Sequence, residues 1–133
     1  MRYMMVSKRF PAKHPRAGEL TGFRERILTG RKLHTLRHST RWLRLDGERV
    51  SLRQWAGRPY ASKQVEFARC VIRPKCFVVE GETTESARVA MLARHDGFDD
   101  VADFGWWFGA GPGEPIDFRG VRVWFCEVRA VGG

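Results

Sequence analysis

The stretch Gly30-Arg31-Lys32-Leu33-His34-Thr35-Leu36-Arg37 brings a glycine, a lysine, a threonine and an arginine together within eight residues. Each has a use beside an anion or a polarised carbonyl. Glycine reaches φ > 0 and lets the backbone approach a ligand closely. Lysine is a point charge whose pKa falls readily on burial, threonine offers a hydroxyl, and arginine presents a rigid fork of donors. A hydroxyl becomes a nucleophile only when a base takes its proton. Thr35 and Lys32 are residue types for those two roles, and Arg37 is a neighbouring cation able to lower the lysine's pKa. Asp96, in His95-Asp96-Gly97-Phe98, could position the lysine or pass a proton to a leaving amine. Each has an ordinary counterpart: Thr35 as a strand residue, Lys32 as a surface charge, Asp96 as a turn residue before glycine.

These residues need elements to hold them. Leu20, Phe23, Ile27 and Leu28 recur at helical spacing over Glu19–Leu28, and Gly30 stands where such a helix stops. A strand over Lys32–Arg37 puts Lys32, His34 and Leu36 on one face and Leu33, Thr35 and Arg37 on the other, unless a turn between Gly30 and Lys32 relaxes the division. Tyr3–Val6 reads as a short strand. Asp46-Gly47 is a hairpin-turn signal between Trp42-Leu43 and Arg49-Val50. Alternation over Lys63–Ile72 predicts a half-buried strand that continues past Pro74 through Val79. Thr83 or Thr84 is placed to cap a helix over Glu85–Arg94, and Asp100 to cap a second to about Phe108. Val121–Val131 is apolar on both faces, as a central strand is. The class is α+β in one domain spanning 1–133.

Composition sets the bounds. The 133 residues carry 24 Lys and Arg against 15 Asp and Glu, a formal charge of +9. The charge is uneven: residues 1–77 hold 19 basic against 5 acidic, and residues 78–133 hold 5 against 10. That asymmetry favours a polyanionic partner, although arginine used only for solubility gives the same numbers. Cys70, Cys76 and Cys126 are odd in number and lack paired ligand spacing, which argues against a disulfide framework and for a reducing compartment. No window is long and apolar enough for a membrane span, so the cytoplasm is the expected location. His34 reads as a strand-surface residue. No His/Cys/Asp cluster argues for a metal, and no cofactor is implied.

Between His38 and Arg58 five arginines alternate with Trp42 and Trp55. Interleaved rings and cations suit single-stranded nucleic acid, because bases stack on rings while arginines meet phosphates. The competing reading makes both tryptophans core residues beneath a solvated face, since Trp is usually buried. The cluster Phe104-Trp106-Trp107-Phe108 reads as core, with one tryptophan available to cap a base.

The spacing Gly30-x-Lys32-x-x-x-x-Arg37 resembles the signature of the ASCH superfamily of PUA-like domains. Three further stretches extend the likeness in order along nearly the whole chain: Gly57–Gln64, the Asp96-Gly97-Phe98 turn with Asp103-Phe104 and Trp107-Phe108, and the closing strand. The resemblance implies a small β-barrel flanked by helices, with a cleft lined by the signature. It implies first a module binding RNA, single-stranded nucleic acid or a modified nucleotide or nucleoside, with Gly30, Arg37, Arg41, Trp42, Tyr60 and Lys63 touching the ligand. It implies second an amidohydrolase like the small bacterial enzymes that deacylate N4-acetylcytidine, with Lys32, Thr35 and Asp96 as the catalytic set. A third expectation is a ribonuclease in which Lys32 stabilises a phosphorane. Asp96 stands where that branch has a longer Glu, and the basic 38–58 segment and the Gly/Pro loop after Phe108 also depart from it.

Overall fold

Alternating apolar side chains make the strands of this chain, and a computed structural model describes residues 1–132. In order come β1 (Tyr3–Met5), α1 (Phe23–Leu28), β2 (His34–Arg37), a 3₁₀ helix over Thr40–Leu45, β3 (Arg49–Trp55), β4 (Gln64–Glu82), α2 (Ala87–His95), α3 (Val101–Trp107) and β5 (Ile116–Ala130). The fold is α+β, built on one five-stranded sheet of order β1-β3-β4-β5-β2. Among the described residues only β1 and β3 pair in parallel, the other strand pairs being antiparallel. β4 and β5 form the long antiparallel centre, from Ala68 opposite Ala130 to Glu82 opposite Ile116. Pro74 is tolerated in β4 because β3 pairs β4 only between Gln64 and Val71, which leaves an open flank beyond it.

Several expectations change. The strand does run past Pro74 as expected, as one element from Gln64 to Glu82 that reaches beyond Val79, but the last strand starts at Ile116 rather than Val121. No hairpin forms at Asp46-Gly47. Thr40–Leu45 winds as a 3₁₀ helix with Trp42 buried, and Gly47 and Glu48 bond to Ile72 of β4 instead. Ser86, not Thr83 or Thr84, caps α2 by accepting from the Val89 amide. The first helix begins at Phe23 because Leu20 is bridged to Arg9 and exposed, while the buried Thr21 hydroxyl accepts from the Phe23 amide. The same hydroxyl donates to Ser7 O at 2.8 Å, tying the helix start to the chain leaving β1.

The core draws on both faces of the sheet: Ile72, Val121 and Val123 share one face and Val79 with Phe118 the other, and Leu52, Phe67, Val89 and Phe104 belong to the same buried cluster. An aromatic group extends it toward α1: Phe23 meets Phe98 edge-on at 5.3 Å between ring centroids, and Phe98 meets Trp107 at 5.6 Å. Cys70 is buried, Cys76 exposed and Cys126 half-buried, and all three are free.

α1 and α2 end in the same way. After α1, the Arg31 amide donates to Arg26 O and the Gly30 amide to Ile27 O, with Gly30 at φ 76°. After α2, the Phe98 amide donates to Ala93 O and the Gly97 amide to Arg94 O, with Gly97 at φ 86°. These are paired Schellman caps, and they point the two chain exits at each other. The Leu33 amide donates to His95 O at 2.7 Å, and Lys32 and Asp96 form a β-bridge. A Cβ on Gly97 would lie 2.8 Å from Lys32 Cβ, so glycine is required both for φ and for this approach. Gly97→Ala is therefore expected to lower unfolding free energy by at least about 1 kcal/mol in urea titration. An unchanged midpoint would contradict the packing described.

Candidate functional site

Lys32 leaves the α1 cap with its backbone amide bonded to Arg26 O at 2.9 Å, and its side chain turns inward. The ammonium donates to Asp96 Oδ1 at 2.7 Å and to the Asp96 backbone oxygen at 2.6 Å. It also lies 4.2 Å from the centre of the Phe23 ring. Lys32 is 4% exposed and Asp96 3%, so this is an ion pair inside the protein. Beside the pair, Arg26 donates to Gly97 O at 2.6 Å and pairs with Asp99 at 2.7 Å, and Arg31 takes the other Asp99 oxygen at 2.6 Å.

The pair opens onto a cavity of about 120 Å³ lined by Lys32, Thr35, Arg37 and Asp96, with Phe23, Phe98, Trp107 and Phe108 as its apolar wall and Val6 and Ser7 across from them. This cavity sits where the two edges of the sheet approach. No backbone ladder joins β1 to β2. Arg37 spans the seam instead, donating from Nη2 to Met5 O at 2.7 Å. Thr35 and Arg37 lie two apart on β2, so strand alternation sends both to the same face. Lys32 joins them because it precedes the strand, where the chain still turns out of the helix cap. The Thr35 hydroxyl makes no side-chain hydrogen bond among the described residues.

Burial disfavours charge on both members of the pair. It pushes the Lys32 ammonium down, Arg37 and Arg26 push the same way, and Asp96 opposes them. It pushes the Asp96 carboxyl up against the opposing pull of Lys32, Arg37 and Arg122. The C-terminal end of the α2 dipole, where Asp96 sits, also disfavours a carboxylate. Arg37 is pushed down to about 10 by burial, and its Nε is buried without a partner.

The remaining residues named from the sequence fall elsewhere. Gly30 and Arg31 line a second, more open cavity of about 460 Å³ with Leu33, Met91, Arg94 and His95, which shares only Phe98 with the first. Trp42 is 8% exposed and packs into the core, whereas Arg41 and Lys63 are exposed. Tyr60, 90% exposed at φ 62°, rests on Trp55 with 5.2 Å between ring centroids. None of these four lines the 120 Å³ cavity. No group of three His, Cys, Asp or Glu among the described residues could hold a metal ion, and no helix is long and apolar enough to cross a membrane.

His34 is the largest departure. A strand-surface position was expected, yet the residue is fully buried against Trp124 of β5, with Nδ1 accepting from Arg122 at 3.2 Å. Burial, with Arg122, Lys32 and His95, pushes it down to about 2. Arg26, Phe23, His34 and Arg122 all shape the site, and nothing in local spacing announces them. Their contacts span from nine residues, Phe23 to Lys32, to 88, His34 to Arg122.

Comparison with family models, with curated proteins and with solved structures gives no match for this chain.

A neutral buried His34 makes stability depend on pH. The unfolded chain takes up this proton near 6.5 and the folded protein only near 2, so the unfolded state binds more protons between those values. The contribution is whole above pH 6.5 and drains as pH falls. The unfolding free energy of the wild type relative to His34→Gln is expected to fall by up to about 1.4 kcal/mol per pH unit on acidification. A difference that stays flat from about pH 7 to 5 would contradict a neutral His34.

Proposed function

We propose that this chain is an amidohydrolase of PUA-like architecture that removes an acyl group from an N4-acylated cytidine-type nucleoside. The observation that carries the reading is the buried Lys32–Asp96 pair facing the cavity that Thr35 also lines. A lysine meant to hold a phosphate needs its charge free and near water, whereas this ammonium is enclosed and already taken by a carboxylate. Enclosure pushes lysine toward free amine and aspartate toward free acid, which is the protonation a base and an acid need before an amide is cleaved. The sequence resemblance to ASCH domains supports the same assignment. In that reading the uncrossed β1–β2 seam, bridged by Arg37, is the open side of a small barrel.

Every proton in the reaction has a place to go. When the proton of the ion pair moves from Lys32 Nζ to Asp96 across their 2.7 Å contact, Lys32 becomes the free amine that takes the Thr35 hydroxyl proton while Oγ1 bonds to the acyl carbon. The carbon–nitrogen bond then breaks as Asp96 gives its proton to the departing amine. An ester on Thr35 remains, beside a Lys32 ammonium and an Asp96 carboxylate. Water adds to the ester carbon and gives its proton to Asp96, and Lys32 returns its own to Thr35 Oγ1 as the ester breaks. The products are a carboxylic acid and the free amine, and both catalytic groups regain their starting protonation. Arg37, with Nε unpartnered and two residues beyond Thr35, is placed to meet oxyanion charge. A water's share of liquid is about 30 Å³, so the cavity holds the space of roughly four waters, enough for the acyl-amide end of a base while the sugar stays outside.

A second reading, a module for RNA or a nucleotide, has its own observation in the exposed Tyr60 on Trp55, with Arg58 and Lys63 exposed in the same loop. Turnover separates the two. Thr35→Ala is expected to reduce hydrolysis of N4-acetylcytidine by more than about 10³-fold, with the circular dichroism spectrum unchanged. Turnover that survives Thr35→Ala would remove the nucleophile, and a wild type that binds RNA but hydrolyses no acylated nucleoside would favour the second reading.

A further inference from the structure

Three buried side-chain nitrogens among the described residues lack a partner: His34 Nε2, Arg37 Nε and His95 Nδ1. His34 Nε2 stands 3.9 Å from Asp96 Oδ1, the oxygen that Lys32 holds at 2.7 Å. The tautomer follows from the other ring nitrogen. Nδ1 accepts from Arg122 Nε at 3.2 Å, and because a guanidinium only donates, Nδ1 carries no proton. The neutral ring therefore carries its proton on Nε2, the nitrogen that stands 3.9 Å from Asp96 Oδ1.

The ring is held firmly in this setting. It stands edge-on to Trp124 at 5.1 Å and to His95 at 6.4 Å, and Arg122 lies 4.0 Å over Trp124 and 5.2 Å over Phe77. The charged and titratable groups facing it are Lys32 from the segment before β2, His95 and Asp96 from the end of α2, and Arg122 from β5. A rigid, buried donor about 1 Å short of hydrogen-bond distance from a carboxylate oxygen has no partner at rest.

We propose that His34 is a positioning residue whose Nε2–H closes on Asp96 Oδ1 and holds the carboxylate that exists once Asp96 has passed its proton to the leaving amine. The inference rests on the amidohydrolase reading for its role in turnover, but the contact itself is observable without turnover. At rest the Lys32 ammonium balances the Asp96 carboxylate. In the acyl-enzyme the Lys32 proton is bound for Thr35 Oγ1, and a second donor lowers the free energy of the carboxylate as that proton leaves.

Nitrogen-15 spectra of histidine-labelled wild type test the starting point. His34 is expected as the Nε2–H tautomer throughout the pH range in which the protein is folded, and an Nδ1–H tautomer overturns the proposal. Carbon-13 titration of the Asp96 carboxyl is expected to move up by about one pH unit or more in His34→Leu and to return toward wild type in His34→Gln, which keeps an N–H donor. On N4-acetylcytidine, His34→Leu is expected to lower kcat by about 10- to 100-fold with little change in KM, and His34→Gln to restore most of it. An unmoved carboxyl titration and unmoved kcat in a folded His34→Leu protein overturn the proposal. Should His34→Leu fail to fold, the wild-type tautomer and the His34→Gln titration decide it. A wild type inactive on acylated nucleosides removes the reaction, and the tautomer and titration then decide the His34–Asp96 contact independently.

Discussion

One ion pair, Lys32 with Asp96, constrains how the two halves of this protein meet. Taking an ammonium and a carboxylate out of water costs several kcal/mol per ion, and their attraction offsets this only when geometry is good and the remaining donors are satisfied. Here the lysine finds a carboxylate oxygen, a backbone oxygen and the face of an aromatic ring at once. Such a pair fixes position more than it stabilises. It forces the exit of α1 and the exit of α2 to lie against each other, and the paired glycine caps are the backbone solution to that demand.

The rest of the site follows from the same constraint. Arg26 and Arg31 converge on Asp99 just beyond the pair, which clamps the α2–α3 turn to α1. Arg37 crosses the sheet seam with one nitrogen bonded and another left without a partner. The described cavity thus has cations on one side, an aromatic wall on the other and a single carboxylate between them. In a water-poor hollow of this kind the loss of hydration disfavours the charged form of each group, and for that reason burial moves Lys32 down and Asp96 up while each opposes the shift of the other.

Much of this was legible along the chain, and the failures have physical causes. The alternation in β4 and β5, the Asp100 cap and the stop at Gly30 are local signals, and the structure has all of them. Asp46-Gly47 misled because turn chemistry is only half of a hairpin. The preceding Trp42 and Leu45 are three apart, a spacing that suits a 3₁₀ turn onto the core, and Ile72 takes the backbone bonds a hairpin partner would have used. For the site, Lys32, Thr35 and Arg37 could be read as a local group. The closeness of Asp96 depends on two helix caps 64 residues apart in effect on the chain, from Lys32 to Asp96, and no local pattern encodes it. His34 was misplaced because polarity on a strand suggests the surface, whereas a neutral ring needs only one donor and an aromatic neighbour to be buried.

A double-mutant cycle on stability tests the pair most directly. Lys32→Met and Asp96→Leu are each expected to lower unfolding free energy by about 3–5 kcal/mol, because each leaves an uncompensated buried charge or forces its neutralisation. The double variant, with neither charge, is expected to lose far less than the sum of the two. Losses that simply add would mean that the ammonium and carboxylate do not depend on each other, and would contradict the account.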